Sequence, residues 1–202
     1  EMISFVPGVV PAIVMAVEAF TQVGDPVLIQ PPVYYPFAAA IRNTGRKVVT
    51  NPLLLKDGQY EIDFEDFEEK AKGCKLFILC NPHNPGGRVW TKEELARLAA
   101  ICLKHKVLMI SDEIHADLTL PPYQHTPLAT LSKEVAENCV TFSSASKTFN
   151  MAGLASAYAV IPNAEIRQKF LDKTVGYMLT DGNVFAFQTT VAAYEQGEEW
   201  LS

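Results

Sequence analysis

The sequence predicts an α/β fold, a mainly parallel seven-stranded sheet flanked by helices. Short apolar runs alternate with helical stretches along the 202 residues. The runs are continuous rather than alternately polar, as strands covered on both faces must be. The length suits one core of roughly 150 to 250 residues, and no repeat or long linker divides it. A single domain over residues 1–202 is therefore expected.

The elements follow in order. Met2 to Phe5 reads as a strand, and Pro7-Gly8-Val9-Val10-Pro11 turns it into an apolar helix reaching about Phe20. Pro26 to Gln30 is a second strand, Tyr35 to Asn43 a helix, and Lys47 to Asn51 a valine-rich strand. Asp63 to Lys72 has the charged, amphipathic pattern of a surface helix. Lys75 to Cys80 is a compact apolar strand, stopped by the Pro- and Gly-rich stretch Asn81 to Gly87. Thr91 and Glu94 form a capping-box pair that opens a helix to His105. Val107 to Ser111, Cys139 to Ser143 and Ala155 to Ile161 complete the strands, followed by helices over Asn163 to Gly176 and Val184 to Leu201.

Composition removes several classes of function. Hydrophobic residues make up 49% and charged ones 20%, the usual balance of a soluble globular protein. The formal net charge is 17 − 23 = −6 without a Lys/Arg cluster, so nucleic acid is not an expected partner. The longest apolar stretch, Val9 to Val17, contains Pro11 and stops at Glu18, short of the roughly 20 residues that span a bilayer. No membrane partner is expected. Cys74, Cys80, Cys102 and Cys139 lack C-x-x-C spacing and read as reduced, buried thiols of a cytoplasmic protein. His83, His105 and His125 have no metal-ligand spacing, and no metal is expected. His105 reads as an exposed helix end, and His125 as either a lining of the site entrance or part of the loop structure. The chain opens on Glu1 in a strand-like run and closes in a helix-like one, as an excised piece would.

In an open parallel sheet, ligands bind beyond the carboxyl ends of the strands. The unusual local sequences sit at those ends: Gly8, Tyr34-Tyr35, Asn84-Pro85-Gly86-Gly87, Asp112-Glu113-Ile114-His115 and Ser144-Ala145-Ser146-Lys147. A lysine beside small hydroxyl residues can form a Schiff base, a strand-end aspartate can hold a cationic ring nitrogen, and an aromatic side chain can stack on a flat ring. A helix start bare of side chains, as at Gly8, can bind a phosphate. Together these are the requirements of pyridoxal 5′-phosphate.

The motifs Pro31-Pro32-Val33-Tyr34-Tyr35-Pro36, Asn81 to Gly87, Ser111 to His115 and Ser144 to Asn150 occur in an order that resembles the fold-type I pyridoxal phosphate enzymes. This is the aspartate aminotransferase superfamily of class I/II aminotransferases. Within it, the chain resembles the cystathionine β-lyase, or carbon-sulfur lyase, branch. The resemblance implies a large cofactor domain lacking its N-terminal arm and C-terminal small domain, and a homodimer in the full-length protein. It implies Lys147 as the Schiff-base and proton-shuttling lysine and Asp112 as the partner of the pyridine nitrogen. Asn84 would bond the ring oxygen beside a cis Asn84-Pro85 peptide, and Tyr34 would stack on the ring. Gly8 with the backbone of Val9 and Val10, and the hydroxyls of Ser144 and Ser146, would hold the phosphate. Two departures from the aminotransferase pattern stand out: His115 where a tyrosine is usual, and Ala155 where an arginine is usual. His115 is common in the lyase branch.

The expected activity is α,β-elimination from a cysteine thioether such as cystathionine, giving thiol, pyruvate and ammonia. The alternatives are transamination of an amino-acid substrate and a noncatalytic ligand-responsive domain. A nicotinamide-binding domain is weaker, because no G-x-G-x-x-G follows the first strand.

Overall fold

A computed structural model describes residues 2–201. In chain order these form β1 (Ile3–Val6), α1 (Val9–Phe20), β2 (Pro26–Ile29), α2 (Pro36–Asn43), β3 (Lys47–Thr50), β4 (Leu54–Lys56) and β5 (Gln59–Glu61). There follow α3 (Phe64–Ala71), β6 (Leu76–Cys80), α4 (Lys92–Lys104), β7 (Leu108–Asp112), α5 (Lys133–Glu137) and β8 (Cys139–Ser143). The chain continues through α6 (Ala145–Thr148), β9 (Ala157–Val160), α7 (Ala164–Gly176), α8 (Val184–Gln196) and α9 (Glu198–Leu201).

The main sheet has seven strands in the order β1-β9-β8-β7-β6-β2-β3. β2, β3, β6, β7 and β8 run parallel, and β9 is antiparallel to both β8 and β1. The central strands are buried on both faces, so successive residues of one strand enter different cores. Leu76, Ile78 and Cys80 of β6 join Val140 and Phe142 of β8 in the core under α1, α2 and α7. Phe77 and Leu79 join Met109 and Cys139 in the core under α3, α4 and α5. That is why β6 reads as an unbroken apolar run with every residue buried.

Side chains cap most helix starts. Asp63 accepts from the N–H groups of Glu65 and Asp66, and Thr91 and Glu94 bond reciprocally as a capping box. Ser132, Asn163 and Asn183 cap α5, α7 and α8 in the same way. The start of α1 differs, because Gly8 has no side chain to offer.

Several expectations are corrected. The first strand lies one residue later, at Ile3–Val6. The last begins at Ala157, because Ala155 adopts a left-handed conformation (φ 47°, ψ 49°) that ends a short 3-10 turn. The single helix expected to Leu201 is broken at Gly197 into α8 and α9. Outside the main sheet, β4 and β5 form a hairpin in which Lys56 pairs with Gln59. Its turn is Asp57-Gly58, both at positive φ, which is a legible hairpin signal. His105 is not an exposed helix end: its ring lies 3.0 Å from Glu68 and is half-buried. Among the described residues no helix is long and apolar enough to cross a membrane.

Candidate active site at the carboxyl ends of the strands

Strand register sets the floor of the site. Cys80 pairs with Asp112 and Asp112 with Phe142, so β6, β7 and β8 end level with one another. Beyond them lies a cavity of about 230 Å³. Gly8, Val9 and Val10 line it from the start of α1, Tyr34 from the approach to α2, and Asn84 from the loop after β6. Asp112 and His115 enter from the end of β7, and Ser146 and Lys147 from α6. Five segments distant in sequence thus meet in one hollow.

Ser144 is the predicted site residue that does not line it. Its hydroxyl caps α6 by accepting from the Ser146 N–H at 3.0 Å and donates to the Ser156 carbonyl at 2.5 Å. Tyr35 is 80% exposed, whereas Tyr34 faces the cavity with its ring against the edge of buried Phe37. Position 155 is absent from the lining, which Ala152 reaches instead. The Asn84-Pro85 peptide is cis, as are Pro31-Pro32, Asn81-Pro82 and Pro121-Pro122.

Electrostatics separate the roles that these side chains can take. Asp112 is 4% exposed. Burial is the main cause that pushes its carboxyl up to about 7, with Glu113 adding to it, while the Ile114 N–H and Lys147 act in the opposite direction. One Asp112 oxygen accepts from that N–H at 3.2 Å. Burial and the Lys147 charge both lower the pKa of His115, which favours a neutral ring. The N–H groups in the first turn of α1 have no acceptors within the helix, and no side chain caps them. That end of the cavity suits an anion.

Two residues escaped the sequence reading. Cys80 lines the cavity, and its sulfur accepts from the Asn84 N–H at 3.3 Å and donates to the Pro82 carbonyl at 3.4 Å, which ties down the loop that carries Asn84. Burial pushes its thiol up to about 12, so it stays protonated. Its place at a strand end, four residues before Asn84, was the available signal. The other is Glu113, whose carboxylate accepts from Ser111, His125 and the Leu128 N–H. His125 therefore belongs to the loop structure and not to the cavity lining. Among the described residues no cluster of His, Cys, Asp or Glu could hold a metal ion.

The donor set fits pyridoxal 5′-phosphate. One cavity holds a buried carboxyl for a ring cation, an amine at Lys147, an aromatic face at Tyr34 and a helix end for a phosphate.

Known proteins carry the same architecture. Cystathionine β-lyase PatB of Bacillus subtilis strain 168 is 50% identical over 203 residues, covering 100% of this chain and 52% of its own length. Cystalysin of Treponema denticola, whose crystal structure contains pyridoxal 5′-phosphate, superposes with a TM-score of 0.97 at 40% identity, over 99% of this chain and 51% of its own. The pyridoxal-phosphate-bound C-S lyase of Staphylococcus hominis superposes at 0.90 and 37% identity, over 99% and 50%. The chain spans about half the length of the curated relatives it matches. Residues 1–198 match the family model for aminotransferase class I and II, and with the strand-end cavity in the same fold as these relatives, the chain belongs to that family.

Proposed function

We propose that residues 1–202 form the large, cofactor-binding domain of a pyridoxal 5′-phosphate-dependent carbon-sulfur β-lyase. Its substrates would be cystathionine or a related cysteine thioether, released as thiol, pyruvate and ammonia. The observation that carries this reading is the convergence of Lys147, Asp112, Asn84, His115 and the start of α1 on one cavity. The 50% identity to PatB supports the lyase branch.

When bound, the cofactor supplies an electron sink for the carbanion formed at the substrate α-carbon. Lys147 would hold the cofactor through Nζ, and its amine would serve as the base for the substrate α-proton. Asp112, as a carboxylate, holds the ring nitrogen in its cationic form. Asn84 and the neutral ring of His115 would orient the ring oxygen, and Tyr34 would cover one face. With alanine at position 155, the N–H groups of Val9 and Val10 and the Ser146 hydroxyl would hold the phosphate. The full-length protein is read as a cytoplasmic homodimer.

Two measurements test this. Borohydride reduction and peptide mass analysis of the full-length protein should place the pyridoxyl group on Lys147; another lysine would overturn the site. Incubation with cystathionine and no keto acid should release pyruvate over many turnovers. A single burst rescued by a keto acid would instead make the protein a transaminase, the other activity found in this family.

A further inference from the structure

Glu113 lies between two residues that line the cavity, yet its own side chain turns away toward Ser111, His125 and Leu128. It is 4% exposed, and its carboxylate accepts three hydrogen bonds: Ser111 Oγ at 2.7 Å, His125 Nε2 at 2.9 Å and the Leu128 N–H at 3.0 Å. The His125 side chain is itself 9% exposed, and its Nδ1 is buried without a partner. Nε2 is the donor in this bond and the carboxylate oxygen the acceptor. A buried polar cluster of this kind contributes little net stability compared with apolar side chains of similar size. Stability alone therefore gives it no reason to exist.

Its connections supply one. The Glu113 N–H donates to Phe142 at the end of β8, and its carbonyl accepts from Ala116 at the turn behind His115. Asp112 precedes it and His115 follows two residues later. The side chain thus pins the short turn that carries both groups, and the pin's far end is a loop twelve residues away. That same loop supplies Leu120 and Tyr123 to a neighbouring hollow, which shares Asn84 and His115 with the cofactor cavity.

We infer that Glu113 and His125 are positioning residues: their buried bond clamps the turn 113–118 and so aims Asp112 and His115 at the cofactor. The inference rests on the function proposed above.

The test uses the full-length protein with pyridoxal 5′-phosphate as the probe. It measures cofactor affinity, visible circular dichroism of the bound cofactor, and thermal unfolding. His125→Ala should weaken affinity by about tenfold to a hundredfold, as small misplacements of reacting groups do, and should diminish the dichroic band. His125→Gln keeps an N–H donor at similar reach and should recover most of both signals. Wild-type affinity and dichroism in His125→Ala, even with a lowered unfolding midpoint, would overturn the inference and leave the proposed function standing. If His125→Ala does not fold, Ser111→Ala removes one of the three donors without altering the loop. Unchanged dichroism and affinity there would overturn the inference equally. Failure of the wild-type protein to bind the cofactor would overturn both.

Discussion

Asp112 carries opposed demands, since the burial that makes it useful to a cation penalises it without one. Its carboxyl rises from 3.8 to about 7 in the folded chain. The folded value lies above the unfolded one, so the stability of the neutral form is complete below about pH 4 and is lost as pH climbs through 7. At pH 8 the cofactor-free protein then holds a buried charge costing on the order of 4 kcal/mol. Asp112→Asn should raise the unfolding midpoint of the cofactor-free protein at pH 8, with the gain vanishing near pH 4. The same substitution should weaken cofactor binding by roughly tenfold to a hundredfold, the worth of a charged hydrogen bond. Thermal scans at the two pH values check the first part, and an equal gain at both would exclude ionisation as its cause. The strand-end positions of Lys147, Asn84 and Asp112 were legible in the sequence, because their motifs tie side-chain identity to strand ends. Glu113 and Cys80 were not. Their parts consist of bonds to Ser111, His125, Leu128, Pro82 and Asn84 that only folding brings within reach.

The start of α1 shows how backbone conformation can leave helix N–H groups free to meet an anion. Gly8 has φ 151° and ψ 156°, a region essentially closed to other residues. A Cβ placed there would meet Pro11 Cδ at 3.5 Å, an ordinary contact. The cost of substitution is therefore conformational rather than steric. Gly8→Ala should destabilise the protein by about 1 to 3 kcal/mol and weaken binding of inorganic phosphate at the cavity. Adding Pro11→Ala should not restore either. Recovery in the double variant, measured by denaturant unfolding and phosphate titration, would mean that crowding was the cause. The capping box at Thr91 and Glu94 was readable because both partners lie three residues apart. The β4–β5 hairpin was equally readable at Asp57-Gly58, yet it stands outside the seven-strand pattern that organised the reading.

Considered entire, the described residues leave several large apolar side chains of α8 and α9 exposed. Val184, Phe185, Phe187 and Val191 of α8, with Trp200 of α9, are between 48% and 71% exposed. Apolar side chains clustered in this way are costly in water and promote association. The 202-residue chain by itself should therefore associate with rising concentration and bind a hydrophobic dye more strongly than the full-length protein. Sedimentation velocity and dye fluorescence check this. A chain that stays monomeric and dark would show that α8 tolerates solvent as it stands.

Local sequence determined the seven strands of the main sheet, the helices between them and the residue types at the strand ends. Those properties arise from periodicity, capping and turn chemistry within a few residues, and they need no distant partner. Tertiary structure alone decided which side chains share the cavity and which are spent elsewhere. Ser144 was a plausible phosphate donor until the fold brought the Ser156 carbonyl to its hydroxyl. His125 was ambiguous until Glu113 lay 2.9 Å away. Ala155 delays the start of β9, because its left-handed backbone closes the preceding turn. For Ser144 and His125 a hydrogen bond to a residue twelve positions away outweighed the local preference, and no local pattern encodes such a partner.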